Sequence, residues 1–196
     1  MTTAQAPSVL YPTQQRKQTR GILLAAAAVA AAAALLELLY PPSSAKTLTT
    51  AADYTFTAML IPFVLAALAA ITRLHQLHNR TDGRLGTAGF WLACAGFAGF
   101  LPCAIASLVT GESQALSPLY ILSILASLAG LAAFAVAVFR ARLLPRWAGP
   151  VLPIAWLLGG PVTAGLRGTT FILAITFIAI AITLPAAPGP QEQQSR

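Results

Sequence analysis

Apolar and polar positions along this chain fall in long blocks rather than in short alternations. Six apolar segments stand out: Gly21–Tyr40, Tyr54–Thr72, Gly86–Thr110, Leu116–Phe139, Pro150–Ala164 and Gly168–Ala186. Most approach the ~20 residues that a helix needs to cross a hydrocarbon core of ~30 Å. Period-two alternation is absent, so a strand barrel is not expected. In hydrocarbon every backbone polar group needs an internal partner, and a helix supplies one within a single segment. The pattern predicts an all-α, polytopic transmembrane helical bundle of six spans. Its expected divisions are a disordered polar tail over 1–19, a six-helix membrane domain over 20–187 and a disordered tail over 188–196.

Charge orients this bundle. Threading six spans places Arg16, Lys17, Arg20, Arg73, Arg80, Arg84, Arg140, Arg142, Arg146 and Arg196 on the side of the N-terminus, and only Lys46 and Arg167 opposite. Basic loops stay cytoplasmic. Both termini are therefore expected in the cytoplasm of a plasma-membrane protein, with the loop Pro41–Asp53 outside. Composition fits a chain solvated by lipid: 57% is apolar and 9% charged, with mean hydropathy +0.74, where a soluble domain carries roughly 25% charged residues. The net charge of +7 sits in short loops and tails where it meets anionic headgroups. The expected partner is thus the lipid bilayer and no nucleic acid, with room for a membrane-protein partner or a homo-oligomer.

The cations ahead of Gly21 resemble the charged region of a signal peptide, and Ser43-Ser44-Ala45 offers small residues for cleavage. The apolar run exceeds the usual ~7–15 residues of such a peptide, so an uncleaved anchor is expected. Cleavage would leave five spans. The first span is rich in Ala (Ala25–Ala28, Ala30–Ala34), which suits close packing against protein better than against lipid. Pro62 is expected to kink the second span. That helix should run on through His78 and end near Thr81-Asp82-Gly83, making the second and third spans antiparallel neighbours.

Small residues recur in the third span as Ala95, Gly99, Cys103 and Ser107, and in the fourth as Ser123, Ser127 and Gly130. We read them as packing surfaces whose hydroxyls bond the i−4 carbonyl; a polar seam along a pathway is the functional alternative. Pro150, Pro153, Gly159, Gly160 and Pro161 crowd the fifth segment. It should be kinked or partly unwound, as transporter helices are at a binding site.

Candidate chemistry is sparse. Glu37 is the only acidic or basic residue inside an expected span, and an intramembrane acid is a functional candidate because burying its charge is costly. It lies ~24 Å along the helix from Gly21, near the outer interface, within reach of water or of the Tyr40 hydroxyl. Asp53 and Tyr54 open the second span and are candidates to assist it. Asp53 also reads as a helix N-cap accepting from the Thr55 or Phe56 amide. His75 and His78, at i and i+3 and followed by Asp82, are weak candidate metal ligands. Arg73, Arg80 and Arg84 nearby oppose a cation, and a surface face is the simpler reading. Cys94 and Cys103 lie ~13.5 Å apart along one helix, too far for a disulfide. No Walker loop, GxSxG or HExxH is present, and no cofactor is expected.

Two junctions carry a family likeness. Asp82-Gly83-Arg84-Leu85-Gly86-Thr87-Ala88-Gly89-Phe90, and Phe139-Arg140-Ala141-Arg142-Leu143-Leu144-Pro145-Arg146-Trp147-Ala148-Gly149, resemble segments of uncharacterised six-span membrane proteins of high-GC actinobacteria. The resemblance implies a plasma-membrane helical bundle with no assigned activity. Physically, Pro145 stops a helix, the arginines anchor at headgroups and Trp147 suits the aromatic belt.

Three functional classes remain open on these grounds. The favoured one is a non-enzymatic structural, accessory or small-ligand-binding bundle. A small transporter or permease subunit would use the broken fifth span. A membrane-embedded enzyme on a lipid or isoprenoid would use Glu37 as acid, assisted by Asp53 or Tyr54.

Overall fold

A computed structural model describes residues 12–40, 46–78, 83–113, 115–141, 145, 147–160 and 168–184. Among them, regular structure is helical: α1 (Pro12–Leu39), α2 (Ala51–His78), α3 (Gly83–Thr110), α4 (Ser117–Ala141), α5 (Ala148–Gly159) and α6 (Phe171–Thr183). Four of these, α1 to α4, are long and apolar enough to cross a membrane. The protein is a helical bundle with the features of a membrane protein.

Two expected spans are covered by shorter helices among the described residues. Helices α5 and α6 have 12 and 13 residues, so each is only ~18–20 Å long, short of a ~30 Å core. The fifth helix stops at Gly159, and Gly160 turns away with extended backbone (φ −103°, ψ −162°). Among the described residues, four helices reach membrane-spanning length and two do not.

Helix α1 corrects the expected tail. It begins at Pro12, eight residues inside the stretch read as disordered. Proline suits a first helical position, where its missing N–H has no partner to lose. Thr19 in this extension is fully buried, and its hydroxyl donates to the Gln15 carbonyl at 2.9 Å. Helix α2 runs to His78 as expected, and it continues unbroken through Pro62. The remaining tail positions, 1–11 and 188–196, lie outside the described residues, as do Ser43-Ser44-Ala45, Asp82, Arg80, Arg142, Arg146, Arg167 and Arg196.

The helices form a ring. Each packs on the helix before and after it, and α6 returns to close on α1. The densest seam joins α3 to α4. As the number rises in α3 its partner's falls in α4: Gly89 meets Ala133, Gly96 meets Ser127 and Gly99 meets Ser123. That is an antiparallel pair in backbone contact. A Cβ on Gly89 would lie 2.6 Å from the Phe134 nitrogen, and one on Gly130 would strike the Ala93 backbone. Only glycine permits this approach, the means by which membrane helices gain packing energy without a hydrophobic driving force.

The stripe on α3 follows the i+4 reading at Gly99, Cys103 and Ser107 but not at Ala95. Ala95 is exposed, whereas Gly89, Ala93, Gly96, Phe100, Cys103 and Ser107 are buried. Each i+4 step drifts ~40° around a helix of 3.6 residues per turn, so a strict i+4 row leaves the contact face. The α4 residues Ser123, Ser127 and Gly130 do lie on the buried face. Helix α1 buries Ala26, Ala27, Ala30, Ala33 and Ala34 toward its neighbours, in keeping with its composition.

Aromatic rings fill the middle. Trp156 of α5 stacks on Phe63 of α2 with centroids 6.1 Å apart, and meets Phe97 and Phe100 of α3 at 4.5 and 5.9 Å. Its indole N–H donates to the Ser127 hydroxyl of α4 at 2.9 Å. One side chain thereby ties three neighbouring walls of the ring to α5.

At one end of the bundle, the α1–α2 and α3–α4 connections clip together. The Leu48 amide donates to the Gly111 carbonyl at 2.6 Å, and the Ser113 amide to the Lys46 carbonyl at 2.8 Å, around an isolated antiparallel bridge between Thr47 and Glu112.

Candidate functional site

Glu37 ends up at that clipped end, in the last turn of α1, with 2% of its surface exposed. The expected partners, water or Tyr40, are replaced by the turn that opens α6. The Thr170 hydroxyl donates to Glu37 Oε2 at 3.1 Å, and the Gly168 and Thr170 amides donate to the same carboxylate. Gly168 makes this possible through its left-handed backbone (φ +79°), which turns the chain against Leu38.

The chemistry of this corner is that of a helix cap supplied from another helix. The first turn of any helix leaves amide donors without partners, and its dipole favours a negative charge there. Thr170, at the N-cap of α6, has no side-chain cap bond of its own. Glu37 supplies the acceptor instead. Its position is therefore explained by packing α6 on α1, with no substrate invoked.

Asp53 and Tyr54 are positioned by a different set of contacts. Asp53 is buried, and Oδ2 accepts from the Thr49 amide at 3.2 Å, the Thr50 amide at 3.0 Å and the Thr50 hydroxyl at 2.9 Å. The Asp53 amide returns a bond to Thr50 Oγ1 at 3.2 Å. This reciprocal pair is a capping box. Thr50 is the N-cap and Asp53 the third helical residue, which corrects the expectation of an Asp53 cap bonded to Thr55 or Phe56. Thr55 instead donates its hydroxyl to the Ala51 carbonyl. Tyr54 is exposed, and its hydroxyl oxygen stands 3.2 Å from where a Cβ on Gly111 would be. The geometry seats Tyr54 over the end of α3 and Glu37 against the start of α6.

His75 corrects the expectation of a surface face. Its imidazole lies parallel to the Phe90 ring with centroids 4.1 Å apart, and edge-on to Phe134 at 6.2 Å. It belongs to the packing between α2, α3 and α4. The His78 side chain lies outside the described residues, and among those described no group of three or more His, Cys, Asp or Glu converges as metal ligands would. Cys94 and Cys103 are free thiols, and the helix runs unbroken through Pro102 between them.

The serines behave in two ways. Ser123 donates to the Leu119 carbonyl at 2.7 Å, the expected i−4 bond. Ser127 donates to the Ile124 carbonyl at 2.9 Å and also accepts from Trp156. Sequence reasoning missed Trp156, although a tryptophan inside an apolar segment needs an acceptor for its N–H. Beside it lies a void of about 20 Å³ lined by Phe63, Ala67, Phe97, Leu131, Leu152 and Phe177 among others. That is about the size of one water molecule, and its walls are apolar, so it favours no water.

No family model, curated protein or solved structure matches this chain.

Proposed function

We propose that this chain is a plasma-membrane bundle of six membrane-embedded helices, with both termini cytoplasmic, acting as a non-enzymatic structural, accessory or small-ligand-binding unit. Charge supports the orientation. Among the described residues Arg16, Lys17, Arg20, Arg73, Arg84 and Arg140 share one end, while Glu37, Lys46, Asp53 and Glu112 share the other. The resemblance to six-span actinobacterial proteins belongs to the same reading.

The observation that carries the functional class is the use already made of the candidate groups. Glu37 caps α6, Asp53 closes a capping box, and Ser127 serves Trp156. Aromatic rings occupy the centre where a substrate path would run. The transporter alternative draws on the early end of α5 at Gly159-Gly160. Reconstitution into vesicles separates the two. A structural bundle leaves permeability to protons and small polar solutes at the level of protein-free vesicles. A flux that disappears with Glu37→Gln would move the assignment to the transporter.

A further inference from the structure

The two mouths of the ring differ in charge. Among the described residues the acids Glu37, Asp53 and Glu112 all lie at the clipped end, and none stands at the other. At that basic end Lys17, Arg20, Arg84 and Arg140 are exposed, whereas Arg16 and Arg73 are half-buried. These two belong to α1 and α2, which pack on each other.

Helical spacing places both. On α1, Arg16 precedes the buried Thr19, Leu23, Ala26, Ala30, Ala33 and Glu37 in alternating steps of three and four, the repeat of a single helix face. Arg16 therefore heads the inward stripe that Glu37 ends. On α2, His75 faces α3 through Phe90. Arg73 stands ~200° round the helix from it, on the α1 side. At about 1.5 Å per residue, Arg16 is ~34 Å from Leu39 along α1 and Arg73 ~33 Å from Ala51 along α2. Both lengths exceed a hydrocarbon core of ~30 Å by a few ångströms. That is the level of lipid phosphates.

Among the described residues Arg16 has no hydrogen bond or ion pair, and Arg73 donates from Nη1 to Gln76 Oε1 at 3.1 Å. A guanidinium presents five donors in a planar fork that matches phosphate oxygens. Drawing it partly out of water makes unpaired donors costly, a cost that the exposed cations around it do not carry. We propose that Arg16 and Arg73 hold the phosphate of one anionic phospholipid of the cytoplasmic leaflet, at the α1–α2 edge of the ring. This rests on the membrane-embedded, small-ligand-binding form of the reading above. Depth commits the site to lipid rather than to a soluble phosphate. Leu24, about two turns below Arg16 and exposed, offers an acyl chain an apolar surface beside it.

Titrating phosphatidylglycerol into the purified full chain in nonionic detergent tests this. The melting temperature should rise and saturate with phosphatidylglycerol, but not with phosphatidylcholine or inorganic phosphate. Arg16→Gln and Arg73→Gln should each raise the half-saturating concentration about tenfold, the loss of one charge-assisted contact. Lys17→Gln, one position away but exposed, should raise it less than about twofold. Phosphatidylglycerol retained through gel filtration, counted as phosphorus, gives the same comparison independently of stability. Equal shifts for Arg16→Gln and Lys17→Gln would show a diffuse field of charge and overturn the site. An equal response to inorganic phosphate would overturn the lipid assignment. Failure of the protein to float with vesicles would instead overturn the membrane reading beneath it.

Discussion

The Glu37 carboxylate accepts the Thr170 hydroxyl at 3.1 Å across 133 residues of chain. One hydrogen-bonded corner therefore joins the first helix to the last and completes the ring. Removing the acceptor strands three donors at a buried site, at roughly 1–3 kcal/mol for each unsatisfied group. Glu37→Ala should lower the melting temperature in detergent by several degrees, given ~2–4 °C per kcal/mol for a chain of this size. Glu37→Gln keeps one acceptor oxygen and should lose clearly less. Equal melting of wild type and Glu37→Ala would show that the corner carries no stability.

Two glycine substitutions should move in opposite directions. Replacing glycine by alanine in a helix ordinarily gains ~1 kcal/mol. Gly21 has nothing within 4 Å of a new Cβ, so Gly21→Ala should show that gain. Gly130→Ala would drive a methyl into the Ala93 backbone and should instead cost ~1–3 kcal/mol by overpacking. Thermal unfolding of the pair, side by side, checks the α3–α4 contact. A stabilising Gly130→Ala would refute it.

The two serines of α4 should differ as well. Ser123 donates only within its own helix in the bonds described, so Ser123→Ala should be near neutral. Ser127→Ala removes the acceptor of a buried indole N–H and should cost about 1–3 kcal/mol. Trp156 emission should also shift, since its partner is gone. An unchanged spectrum and melting curve would contradict the bond.

Orientation is checked by cysteine labelling in a chain with Cys94 and Cys103 replaced by Ala. Ser113 lies at the clipped end and Gln76 at the basic end, and both are exposed. An impermeant thiol reagent should label Ser113→Cys in intact cells and Gln76→Cys only after permeabilisation. The reverse pattern would invert the topology.

Because α1 buries its alanine face and caps α6, its removal would open the ring on two sides. The purified protein should therefore retain α1, and its intact mass should include this helix. A mass that places the N-terminus beyond Ala45 would show that the bundle stands without it.

The helices α1 to α4 were legible because an apolar block of membrane length is a strong signal that needs no tertiary knowledge. The short α5 and α6 were harder. Pro150, Pro153 and the Gly159-Gly160 pair warned of irregularity, but apolar content alone does not show where a helix stops. The capping box is written in the sequence as Thr50-x-x-Asp53, the usual spacing, but an acid at a helix start equally suits the N-cap itself. The partner of Glu37 left no local trace. Thr170 looks like any threonine, and only ring closure brings it to α1. On α3, Gly99, Cys103 and Ser107 were legible as packing positions, whereas helical drift carries Ala95 off the face and brings Gly89, Ala93 and Gly96 onto it.

The Glu37–Thr170 corner also sets a timetable. Ribosomes add roughly 5–20 residues per second, so Glu37 is made on the order of ten seconds before the hydroxyl that it will accept. During that interval the acid has no native donor. It waits two residues from the end of α1, and the ring can close only after nearly the whole chain has been synthesised.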